Sequence, residues 1–98
     1  MPTYVTLLNF TDQGIATVES SPNRIDAAKD LVEEMGGEFK AFYLTFGQYD
    51  GIGVLEFPDD ETAAKYALTL GKAGNAKTET LKAFSQEEFA DIVDGLST

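Results

Sequence analysis

A chain of 98 residues forms one domain with a single core and buries only about 60 to 65% of its unfolded surface, which argues against a large private cleft. With 43% apolar residues and three prolines the chain offsets the entropy of ordering, so disorder is excluded; seventeen acidic against seven basic side chains, net -10, exclude nucleic acid and anionic membrane surfaces as default partners. Cysteine and histidine are both absent, which removes thiolate nucleophiles, Cys/His zinc sites, imidazole bases and histidine-ligated haem.

The first run, Thr3 to Phe10 (TYVTLLNF), is rich in β-branched and aromatic residues and reads as a strand, closed by Thr11-Asp12-Gln13-Gly14, a polar turn or helix-entry cluster. After GIATVE comes Ser21-Pro22, a serine able to cap and a proline suited to the first helical position. Apolar residues then recur at Ile25, Ala28, Leu31, Val32 and Met35, the spacing of one helix face, up to Gly36-Gly37, where a left-handed terminus costs little.

Glu38 to Phe46 and Gly51 to Phe57 are two strand-like runs joined by a segment too short for a crossover helix, so they form an antiparallel hairpin. Pro58 stops the second run. Asp59, Asp60 and Glu61 then gather where the free amides and positive dipole of a helix need anions, and a capping role is expected of them before a metal-binding one. That helix continues through Ala63, Ala64, Ala67, Leu68 and Leu70 to Gly74-Asn75, with small residues suited to close packing on a sheet. Lys77 to Phe84 alternates as a fourth strand, and Ser85-Gln86-Glu87-Glu88 reads as a capping box that opens a last helix, EEFADIVDGL.

The order β-α-β-β-α-β-α over a single domain, residues 1–98, predicts a ferredoxin-like α+β fold. Right-handed crossovers place both main helices on one face of a four-stranded antiparallel sheet. The other face is unusual. On the first strand Val5 and Leu7 oppose Tyr4, Thr6, Leu8 and Phe10; on the second, Phe42, Leu44 and Phe46 oppose Phe39, Ala41, Tyr43 and Thr45. Both faces are apolar, whereas a solvated face alternates towards charge, so a second copy packed sheet against sheet is expected: a homodimer through the open face. No basic segment followed by a long apolar run opens the chain, and no stretch approaches the ~20 apolar residues of a membrane span; a cytoplasmic protein is expected.

GQYDG after a strand, VLEFPDDETAAKYAL, TETLKAF and SPNRIDAAKDLVEEMGG together resemble the GYD domain family, over Tyr4 to about Phe89. The resemblance implies a dimeric α+β-barrel and no established activity. The effector-binding domains of leucine-responsive-type bacterial regulators are similar in fold and carry a related segment at the same hairpin, near where amino-acid effectors bind between subunits. The same superfamily also holds cofactor-independent monooxygenases, isomerases and haem enzymes, so fold alone does not choose a function.

In Gly47-Gln48-Tyr49-Asp50-Gly51 the glycines accept positive φ and Asp-Gly is a favoured turn pair, which makes the segment a turn first. A ligand-binding role would use the Tyr49 hydroxyl and Asp50 carboxylate as adjacent donor and acceptor beside Gly47, with Arg24, the single arginine, able to pair with a carboxylate. Asn9, a polar group on an apolar strand, completes the candidate set. No serine or threonine has a recognisable activating partner, and neither GKAGN nor GQYDGIG has the spacing of a phosphate loop. No catalytic residue, cofactor or metal is therefore expected. The first expectation is a homodimeric module that binds a small amino-acid-like or aromatic ligand; a cofactor-independent monooxygenase or isomerase, and a purely structural assembly module, are the alternatives.

Overall fold

In the computed structural model, described here for residues 1–96, the elements follow the expected order with two short additions between the first strand and the first main helix. Strand β1 (Thr3–Phe10) is followed by a short helix α1 (Asp12–Ala16), a single 3-10 turn (Val18–Ser20) and α2 (Ser21–Glu34). Strands β2 (Glu38–Leu44) and β3 (Gly51–Glu56) form the hairpin, α3 (Asp60–Ala73) leads to β4 (Ala76–Ala83), and α4 (Gln86–Asp94) comes last. The sheet is antiparallel throughout, in the ferredoxin-like order β2-β3-β1-β4.

Helix ends follow capping chemistry, with one correction. Asp59 accepts from the Thr62 N–H at 2.8 Å and from its hydroxyl at 2.6 Å, and α3 closes on Gly74 in the left-handed region at φ 85°. Ser85 and Glu88 form the reciprocal box at α4. Ser21, expected to cap α2, instead lies inside it. The 3-10 turn runs directly into the helix, so backbone carbonyls of that turn take the first amide hydrogens and the Ser21 hydroxyl is left to accept from Arg24.

A bulge corrects the assignment of faces on β2. The register passes from Phe39↔Leu55 to Ala41↔Val54, so Lys40 is the extra residue and Phe39 joins Phe42 and Leu44 on the helix side instead of sharing a face with Ala41 and Tyr43. The helix face accordingly carries Tyr4, Thr6, Leu8 and Phe10 of β1 with Gly53 and Leu55 of β3. The open face carries Val5, Leu7 and Asn9 beside Ile52 and Val54, with Ala41 and Tyr43 on one flank and Glu79 and Leu81 on the other. Its centre is apolar, as the alternation implied.

The core sits at one end of the helix face: Tyr4, Val32, Leu55, Phe57, Ala63 and Tyr66, with Phe57 stacked obliquely between the two tyrosines at centroid distances of 5.9 and 5.3 Å. Helix α2 packs along β2 and α3 along β4, the two edge strands. The central strands therefore lack a helix directly above them beyond the core cluster, and an apolar crevice of about 720 Å³ opens there. Helix α4 packs extensively against no other element, and none of its residues is buried. Its projection fits the radius of gyration, 14.9 Å, against about 13 Å for a compact chain of this length.

Candidate functional site

The hairpin tip is built by hydrogen bonds that continue the sheet past its strand ends. The Asp50 N–H donates to Leu8 O at 2.8 Å while its carboxylate accepts from the Phe10 N–H at 2.9 Å, which adds one rung to the β1–β3 ladder. On the other side the Thr45 N–H donates to Asp50 O at 3.0 Å and the Thr45 hydroxyl to Tyr49 O at 2.7 Å. Gly47 has φ 112°, a conformation that side chains rarely adopt, and Phe46 beside it is 99% exposed. The Tyr49 hydroxyl donates to the Glu79 carboxylate at 2.8 Å, so its ring bridges from the hairpin to β4 on the open face; that bond, then desolvation, raises its pKa above the ordinary value.

Arg24 works elsewhere. Its guanidinium donates to Thr17 O and Thr17 Oγ1, both at 3.1 Å, to Gly14 O at 3.1 Å and to Ser21 Oγ at 2.9 Å, clamping the segment that carries the chain from α1 into α2. All four acceptors are neutral. Among the described residues no carboxylate pairs with Arg24, whereas Lys40, Lys65 and Lys82 each form an ion pair. Tyr49, Asp50 and Gly47 are thus together at the hairpin, Asn9 is near them at the end of β1, and Arg24 lines the crevice on the helix side.

A second polar cluster has no counterpart in the sequence pattern. The Tyr4 hydroxyl donates to the Asp60 carboxylate, which also pairs with Lys82 at 3.0 Å. Burial, then the bond to Asp60, pushes Tyr4 up to about 12, and the Tyr4 bond, then that to Lys82, holds Asp60 below its usual value. Tyrosine and aspartate lie 56 residues apart, so no local spacing signals them. Among the described residues no group of three or more carboxylates is placed to hold a metal ion.

The sequence profile of the GYD domain family matches residues 4–93. The chain belongs to this family. This GYD protein is 37% identical over 84 residues, 85% of its length and 88% of the relative's, to a glutamine synthetase and cystathionine beta-lyase binding protein of Thermus thermophilus. A crystal structure of a protein from Thermus thermophilus shares the fold at a TM-score of 0.54 and 24% identity, covering 87% of the GYD protein and 95% of that chain. No helix among the described residues is long and apolar enough to cross a membrane.

Proposed function

We propose that the protein is a homodimeric, non-catalytic module that binds other proteins, enzymes of amino-acid metabolism among them. The observation that carries this reading is α4. Phe89, Ile92 and Val93 fall at i, i+3 and i+4 along one stripe of α4, Leu96 follows just past the helix end, and all four are 46 to 65% exposed. A helix with an apolar stripe and no cover on its own chain needs cover from another. Support for the kind of partner comes from the relative named for binding glutamine synthetase and cystathionine beta-lyase.

The open sheet face is the proposed seat of the second copy. Four strands about 4.8 Å apart and up to about 27 Å long project roughly 500 Å², less than the ~800 Å² that each partner of a stable complex contributes. In this reading the apolar stripe of α4 is further surface for the second copy to cover. Tyr49 and Asn9 border this surface, while Asp50 and Gly47 shape the turn beside it. Arg24, the remaining member of the expected ligand set, belongs to the crevice.

Sedimentation of the purified protein, alone and mixed with glutamine synthetase from the same organism, tests the proposal. A dimer at micromolar concentration and a co-sedimenting complex are expected. A monomer that leaves the enzyme's sedimentation unchanged would overturn it.

A further inference from the structure

We propose that the crevice between α2 and α3 binds an apolar carboxylate, aromatic in the body, with an oxygen function at its inner end: Tyr66 and Thr6 meet that oxygen and Arg24 meets the carboxylate. At about 720 Å³ the crevice is within the range of ~300–1,000 Å³ typical of small-molecule sites. Its walls are Leu8, Phe10, Ile25, Phe42 and Leu70. This inference stands apart from the protein-binding reading, since it concerns the opposite face of the sheet.

Two features make this more than a gap between helices. Tyr66 is 5% exposed, yet its hydroxyl makes no hydrogen bond to another described residue, and burial alone accounts for its altered ionisation. Thr6, also 5% exposed, likewise has no partner for its hydroxyl among these residues. No fully enclosed side-chain polar atom among them is left unsatisfied, so both hydroxyls keep access to the crevice that they line. Such groups favour a bound oxygen over a wholly apolar occupant.

The second feature is charge. Arg24 stands at the crevice with four neutral acceptors and its Nε–H outside those bonds. A cationic donor with its Nε–H outside those bonds favours an anionic acceptor, and in a chain of net charge -10 Arg24 has no carboxylate partner among the described residues. Asp26 also reaches the lining and selects against a second negative charge on the ligand. Gly53 sets the depth. A Cβ there would meet nothing nearer than Ala41 O at 3.9 Å and Thr6 Cβ at 4.0 Å, so the glycine leaves room that the fold does not require.

The test is an amide-resolved NMR titration of the protein with para-hydroxyphenylpropionate, phenylpropionate and para-ethylphenol. Para-hydroxyphenylpropionate is expected to shift amides of Thr6, Gly53, Ile25 and Tyr66 and to bind about tenfold more tightly than either probe lacking one polar end, the factor that ~1.4 kcal/mol represents. Tyr66→Phe should erase the preference over phenylpropionate without unfolding the chain. Gly53→Val, whose Cβ would meet only ordinary contacts and which suits a strand, should abolish binding while its amide spectrum stays that of the folded chain. Absence of crevice shifts at millimolar probe, shifts confined to the open sheet face, or equal binding by Gly53→Val would each overturn the proposal.

Discussion

The Asp50 carboxylate accepts the backbone N–H of Phe10 across 40 residues of chain, at 2.9 Å, in the place where β3 has already ended. Without it that half-buried N–H has no strand beside it on the β3 side, because the register stops at Leu8↔Gly51. Asp50 thereby ties the hairpin to the centre of the sheet. Asp50→Ala is expected to destabilise the protein by about 1–3 kcal/mol, the range for losing a charge-assisted bond to a partly buried amide, and Asp50→Asn by less because an acceptor oxygen remains. Urea denaturation measures both. Equal midpoints for Asp50→Ala and the parent would refute this role.

Gly14 is set by the backbone against which it packs. Its missing Cβ would lie 1.9 Å from Asn75 O, and the same contact is held by Thr11, whose N–H donates to Asn75 O at 3.2 Å and whose hydroxyl donates to Gly74 O at 2.6 Å. Gly14→Ala must push α1 away from the turn after α3. Overpacking of this kind costs about 1–3 kcal/mol, and here the obstacle is backbone, which cannot rotate aside. Thermal unfolding should show a lower midpoint for Gly14→Ala and an unchanged or higher one for Gly71→Ala, a helical position where a Cβ meets nothing within 4 Å.

These two contacts mark what local sequence can and cannot express. Period-2 alternation, Asp59, Gly74 and the Ser85–Glu88 box were readable because each acts within a few residues of itself. Helix α1 has five residues and a central glycine, too few for a helical period to emerge. Phe39 changes face through a bulge at Lys40 that alternation does not announce. The crevice follows from α2 and α3 lying over edge strands, a distance between elements that no motif encodes. Arg24 looked like a partner for a carboxylate, and its acceptors within the fold are carbonyls and hydroxyls instead.

Stability should fall at both ends of the pH scale for identifiable reasons. Asp60 lies below the usual 3.8, so its contribution is complete above that value and is lost as pH falls through the depressed one; Asp59, held down by Thr62, acts in the same direction. Tyr4 and Tyr66 are raised from 10.0 to about 12, so the unfolded chain loses these protons first and stability declines as pH rises from about 10 to about 12. Ultraviolet titration of tyrosinate should show a late phase near pH 12 that Tyr4→Phe and Tyr66→Phe each diminish. A single phase near the ordinary value would contradict the assignment.

The assembly role proposed for α4 is testable apart from folding. Since it packs extensively against no other element of its chain, charges placed on its apolar stripe should leave the sheet and core intact. Ile92→Glu adds a carboxylate to a surface already bearing Glu87, Glu88, Asp91 and Asp94, so a contact with a second copy would have to bury it or place it beside like charge. The expected result is a dimer dissociation constant raised by at least about tenfold, or ~1.4 kcal/mol, with the unfolding midpoint of the dilute monomer unchanged. Ser85→Ala should act differently: loss of the cap costs about 1 kcal/mol of helix stability, seen as faster amide exchange confined to α4 and a smaller rise in the dissociation constant. Concentration-dependent sedimentation read beside hydrogen exchange distinguishes the two variants. If Ile92→Glu leaves self-association untouched while unfolding the monomer, α4 belongs to its own chain's core and the assembly role assigned to its stripe is wrong.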